Sequence, residues 1–262
     1  MSLPVRILRE LKHVPGWRSP QRYIAIAVDD YGNVRSANRS AVEHLKGKIP
    51  GFGGQMDELD CVETRADLEA LFDTLRGHVD EVGRNPLFTA YSLAANPDFE
   101  LMRRDRVYGY ETLSQTFNRL AAEEPTAYEG TWGAWQQGMA EGLIRPQCHG
   151  REHFYVPMIK WKLRYRAPDL EANLAVNSMA GLVSVTEMPG VGFTHAFGVH
   201  DRSVFEQQRA ILAEGFKLFE DGFGFPSTTF TPPAQKLHAS HEAAVAALGI
   251  KSIDKPFNGR QP

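Results

Sequence analysis

Residues 22–32 read Arg-Tyr-Ile-Ala-Ile-Ala-Val-Asp-Asp-Tyr-Gly, and this stretch decides the fold. Over 22–29 the side chains alternate, with Ile24, Ile26 and Val28 on one face, so a period of two predicts a buried strand. The strand runs directly into Asp30-Tyr31-Gly32, a turn sequence that interrupts the pairing of faces. Adjacent strand residues point opposite ways, but a chain that turns here brings Asp29 and Asp30 to the same end of the sheet. Parallel β/α folds build their sites at the carboxyl ends of strands. Taken alone, an Asp-Asp pair reads more often as a hydrogen-bonded turn with Asp as helix cap, and it is the partner motif Gln147–His153 that lifts this one.

Outward from this strand, elements of both periods alternate. Glu63–Val79 places Leu68, Leu71, Phe72, Leu75 and Val79 at helical spacing, and Thr64 with Asp67 suits a capping box. Leu87–Ser92 reads as a strand closed by Asn96-Pro97, and Ile144–Cys148 as another that delivers the chain to His149. A helical stretch follows, then a strand at Phe193–Phe197. After Ser203 the stripe Phe205, Leu212, Phe216 and Phe219 predicts a helix, with Ser203 and Glu206 as its capping box. Ser227–Thr231 reads as a strand ending at Pro232-Pro233. The last unit is a helix over Ser240–Leu248, a stop at Gly249 and a strand over Ile250–Ile253. Segment 31–62, rich in Gly, reads as a long excursion over the mouth of the sheet. Strands alternating with helices imply an α/β fold with a parallel sheet, and residues 1–262 read as a single domain.

Composition narrows the function classes. With 42% hydrophobic and 23% charged residues among 262, the chain has an ordinary globular make-up and can bury a core without staples. A net charge of −3 offers phosphate backbones no attraction, which argues against nucleic-acid binding. Two cysteines, Cys61 and Cys148, imply no disulfide framework, and Cys148 is expected to pack in its strand. Residues 1–17 hold basic side chains but no signal-peptide core, and no later segment has the ~20 apolar residues of a membrane span. The expectation is a cytoplasmic protein with no membrane partner.

The second chemical signal is Gln147-Cys148-His149-Gly150-Arg151-Glu152-His153. Histidines four apart share one face of a helical turn and reach one metal ion. Two imidazoles with a carboxylate leave positions open for water and substrate. The same residues match H-x-x-E-H, the inverted zinc-protease pattern with Glu152 as base. That rival needs a continuous helix, which Pro146 and Gly150 weaken, and it leaves Asp29-Asp30 without a role. Trp132, Trp135, Phe154, Tyr155 and Trp161 can stack on sugar rings, although core packing is expected for at least half of them.

In order along the chain, VDDYGNVR (28–35), RPQCHGREHF (145–154) and FGFPSTTFTPP (223–233) resemble the motifs of the polysaccharide deacetylase (NodB-homology) superfamily, in a polysaccharide (de)acetylase-like branch. The resemblance implies a distorted (β/α) barrel of about seven strands and metal-dependent removal of an N- or O-acetyl group from a carbohydrate. It implies Asp29 as base and Asp30, His149 and His153 as ligands of a divalent metal, zinc first, with cobalt, nickel or manganese as alternatives. An acetylated sugar or polysaccharide is the implied substrate. Two departures stand out. The family's third motif has an arginine before the prolines, where this chain has Phe230-Thr231, so Arg151 or Lys236 is the expected replacement. The family's acid histidine follows a later strand, so the chain reads as a barrel lacking its C-terminal strands. The substitutes available are His195, His200, His238 and His241, all expected at the surface. An open barrel leaves the first strand without one neighbour, and self-association through that sheet edge is the expectation. The non-enzymatic alternative is a carbohydrate-binding remnant with an incomplete site.

Overall fold

The computed structural model describes residues 19–20 and 23–256. The basic N-terminal stretch 1–17 and Arg22 of the opening motif lie outside them. Strand β1 (Ala27–Tyr31) is followed by two short helices, α1 (Arg39–Leu45) and α2 (Gln55–Leu59), and by α3 (Arg65–Arg76). Next come β2 (Phe88–Leu93), β3 (Ala95–Pro97), α4 (Phe99–Asp105), β4 (Tyr110–Thr112), α5 (Leu113–Glu123), α6 (Pro125–Tyr128) and α7 (Thr131–Ala140). Strand β5 (Ile144–Gly150) leads into α8 (Val156–Tyr165) and α9 (Pro168–Leu174). The chain ends its described part with α10 (Phe205–Phe223), β6 (Thr229–Phe230), α11 (Glu242–Ala247) and β7 (Ser252–Ile253).

The main sheet has the order β1-β2-β5-β6-β7, with every neighbouring pair parallel. All five strands therefore end at the same edge, which is where the Asp29-Asp30 pair and His149 fall. β5 lies in the centre with α7 and α10 packed against it. Its burial is nearly complete, as a two-sided parallel strand requires. Helix α3 begins with the expected box, in which Thr64 accepts from Asp67 N–H and Asp67 accepts from Thr64 N–H. Leu68, Phe72 and Leu75 form its buried stripe, and Phe72 presses on α7 where a Cβ at Gly138 would come within 2.2 Å of the ring. In α10 the residues Leu212, Phe216 and Phe219 are buried as their spacing predicts.

Several expectations change. The first strand begins at Ala27, and the face carrying Ile24, Ile26 and Val28 is exposed, Ile24 at 93%. Alternation identifies two faces, but β1 is an edge strand paired on one side only, and nothing among the described residues covers this face. Phe193–Phe197 is not a strand. Local hydrogen bonds from His195 N–H to Gly192 O and from Gly198 N–H to His195 O close it into turns, and Phe197 makes one isolated bridge to Leu237. The Ser203–Glu206 box does not form, because Asp201 caps a 3₁₀ turn over Arg202–Val204 that leads into α10. Asn96-Pro97 continues the chain as β3, antiparallel to β4, rather than stopping it. The sheet is open, with β1 and β7 as its edges, so the described residues do not close a barrel. No helix among them is long and apolar enough to cross a membrane.

Candidate metal centre

The end of β1 is shaped by a break in pairing. Its register against β2 shifts between Val28 and Tyr31, and Asp30 takes a left-handed backbone with φ of 64°. Such a conformation costs a non-glycine residue energy and persists only when its surroundings fix it. Three residues do so here. Glu63 accepts from Gly32 N–H at 2.9 Å and from Trp135 Nε1–H at 2.8 Å. Asn96 accepts from Val34 N–H at 2.9 Å and donates to Gly32 O at 2.7 Å. Gly32, with φ of 73°, lies so close to Leu113 that a Cβ would come within 2.7 Å of it.

The end of β5 supplies the other half. His149 is the last but one residue of the strand and is fully buried. Its Nδ1–H donates to the carbonyl of Thr231 at 2.7 Å. A carbonyl can only accept, so a neutral His149 carries its proton on Nδ1 and turns the Nε2 lone pair outward. That lone pair faces Asp30 Oδ1 at 3.0 Å, and His153 Nε2 lies 2.9 Å from the same oxygen. Two acceptors stay at this distance only with a proton or a cation between them. The ligand atoms of Asp30, His149 and His153 all fall within 4.8 Å of one another. Two donors bound at ~2.1 Å to one ion at angles near 90–110° are roughly 3.0–3.4 Å apart, close to the 3.0 and 2.9 Å that separate the two histidine nitrogens from Asp30 Oδ1. One carboxylate oxygen with two imidazole nitrogens suits zinc and its first-row neighbours.

The spacing works for a different reason from the one expected. The histidines do not share a helical turn, because His149 is on a strand. Gly150, at φ of 131°, turns the chain, and its carbonyl and that of Arg151 accept from Ala94 and Ala95 N–H at 3.0 and 2.8 Å. His153 returns to the site from the loop before α8. Arg151 and Glu152 turn away from the triad. Arg151 pairs with Glu152 and Glu214 and lies over the Tyr110 ring at 4.6 Å. Its guanidinium is therefore committed to Glu152 and Glu214 and is not the orienting cation expected beside Asp29.

Electrostatics follow this layout. Burial pushes the Asp30 carboxyl up, but the hydrogen bonds and charges of His149 and His153 outweigh it and hold it well below the usual carboxylate range. Burial raises Glu63 to about 7 against the hydrogen bonds it accepts from Gly32 and Trp135. Asp60 is raised to about 6 by burial and by the charge of Asp30, with Arg35 acting in the opposite direction. Burial also raises Glu152, although Arg151 opposes it. Asp29 is exposed on β1, one residue before Asp30, and its charge reaches Asp60.

Sequence reasoning missed Glu63, Asn96, Asp60 and the Thr231 carbonyl. Glu63 precedes a helix cap and reads as part of it, and a backbone carbonyl has no signature in sequence. Cys148 packs in the core as expected. Of the aromatic cluster, Trp135, Phe154 and Tyr155 are core residues, Trp132 lies between Phe117 and Phe223, and Trp161 rests on Tyr165. Among the substitute histidines, His241 is fully buried against Gln208 rather than at the surface, while His195, His200 and His238 are partly exposed. No protein-family model, curated protein or solved structure matches the chain.

Proposed function

We propose that this chain is a metal-dependent hydrolase that removes an N- or O-acyl group from a carbohydrate, and that its open sheet is an arc of a distorted (β/α) barrel. The observation that carries the reading is the convergence of Asp30, His149 and His153 at the carboxyl end of a parallel sheet, with the His149 lone pair locked toward the carboxylate. These three residues would hold the ion, zinc by preference. When bound, the ion supplies Lewis acidity to an acyl oxygen and to water at neutral pH. Asp29 is the base in this reading, because it is an exposed carboxylate beside the ligand set with no hydrogen bond or ion pair of its own among the described residues. Thr231 keeps the His149 ring oriented, and Glu63 with Asn96 keeps the Asp30 turn in its left-handed form.

The inverted zinc-protease reading has less support. It needs both histidines and Glu152 on one helix, whereas residues 144–150 form a strand and Glu152 is buried in an ion pair with Arg151. The deciding experiment pairs two variants on zinc-loaded protein, with p-nitrophenyl acetate and an N-acetylglucosamine oligomer as probes. Asp29→Asn should lower kcat at least ~10²-fold with zinc still bound. Glu152→Gln should leave kcat of the folded protein within a few-fold. The reverse pattern would transfer the base to Glu152, and zinc binding with no turnover would leave a binding protein in place of an enzyme.

A further inference from the structure

Hydrolysis of an acyl group builds negative charge on the acyl oxygen, and a positioned N–H donor is the usual way for a protein to stabilise it. The turns over residues 192–198 are tied to the segments that follow His153 and that hold His149. Phe193 O accepts from the N–H of Tyr155, two residues past His153, at 2.7 Å. At the other end, the Phe197 ring packs on Phe230 at 6.0 Å, and Phe230 directly precedes Thr231, whose carbonyl holds His149. The segment thus spans from the flank of one ligand to the flank of another, and His195 lies at its middle.

His195 is held at every point. Its backbone N–H donates to Gly192 O at 3.1 Å and its carbonyl accepts from Gly198 N–H at 2.8 Å. A Cβ at Gly198 would come within 3.0 Å of His195 Cβ, and one at Gly192 within 3.3 Å of the ring, so both glycines are packed against it. Gly192 N–H donates to His195 Nδ1 at 3.0 Å. Nδ1 is therefore an acceptor, and the proton of the neutral ring is on Nε2. Nε2 has no partner among the described residues. The other substitutes are engaged, His200 with Tyr155, His238 with Ser240 and His241 with Gln208.

We propose that His195 is a further catalytic residue, a neutral imidazole whose fixed Nε2–H donates a hydrogen bond to the acyl oxygen as charge develops there. No proton is transferred in this role, and it rests on the acyl-hydrolase reading above. Burial and the charges of Lys236 and His153 hold the His195 ring below the ordinary histidine range, which favours the neutral form. Protonation would also set Nδ1–H against the Gly192 N–H.

The test uses the zinc-loaded chain with the two acyl probes, together with ¹⁵N NMR of the histidine rings. His195→Ala should lower kcat by about 10²–10³-fold with KM and zinc stoichiometry unchanged. His195→Phe keeps the bulk of the ring without a donor and should show the same loss should the alanine variant fail to fold. His195→Gln keeps an N–H and should recover at least about tenfold of that loss. NMR should find the His195 ring neutral with its proton on Nε2 at pH 7. Wild-type kcat in His195→Ala or His195→Phe, or a proton on Nδ1, would overturn the donor role alone. A wild-type protein with no turnover on either probe would overturn the acyl-hydrolase reading and this role together.

Discussion

Asp30 Oδ1 receives two imidazoles at once, and its turn survives only because Glu63 and Asn96 hold the next residues. Glu63 carries a cost for this duty. Its carboxyl titrates near 4.5 when unfolded and at about 7 in the folded chain, raised by burial. Between those values the native state binds more protons than the unfolded state. The contribution of Glu63 is therefore lost as pH rises from 4.5 to 7, by roughly 3 kcal/mol, and flattens on either side. Glu63→Gln has no such titration. It also offers one acceptor where two donors arrive, so it should cost about 1–3 kcal/mol at acid pH. The stability advantage of the wild type, measured by urea unfolding at pH 4.5, 5.5, 6.5 and 7.5, should shrink across the series. An advantage that stays constant would mean that Glu63 ionises freely. Asp60, raised to about 6, contributes in the same direction in both proteins and drops out of the difference.

At the scale of elements, what was legible followed from local rules. The capping box of α3, the buried stripe of α10 and the delivery of His149 by a strand are each fixed by residues within a few positions of one another. The exposure of Ile24 and Ile26 was not legible, because it depends on whether a distant element covers that face. Nor was the site's true geometry, in which β5 and a glycine turn replace the expected helical face. That turn is clamped from outside by α10. A Cβ at Gly215 would lie 2.9 Å from Arg151 N and 3.0 Å from its Cβ, so backbone has to move. Gly215→Ala should destabilise the protein by about 1–3 kcal/mol. By shifting the segment between the two histidines it should also weaken zinc binding by about tenfold or more in a calorimetric titration. Gly222, in the same helix, has open space where its Cβ would be. Gly222→Ala should be neutral or stabilising by up to ~1 kcal/mol, with zinc affinity unchanged. Equal zinc affinity in both variants would show that α10 does not position the ligands.

For the whole molecule, the consequence of the ligand set is mechanical. Asp30 sits on the edge strand β1, His149 near the end of the central β5, 119 residues away, and His153 in the loop that follows β5, with β2 between the two strands. β1 is an edge strand paired on one side only, and among the described residues nothing covers its apolar face. An ion shared by Asp30, His149 and His153 would tie that edge to the centre, and its binding energy would become folding energy because the unfolded chain cannot assemble the three side chains. At free zinc a hundredfold above Kd, the gain is about 2.7 kcal/mol. For a chain of this length that corresponds to roughly 5–10 °C in Tm. Asp30→Asn removes the oxygen common to both imidazole contacts, so its Tm should respond to zinc and to a chelator by less than about a third of the wild-type shift. The comparison is a pair of thermal melts for each protein, with zinc and with chelator. A wild-type Tm indifferent to zinc, or an equal shift in both proteins, would show that the three side chains do not hold an ion across the sheet.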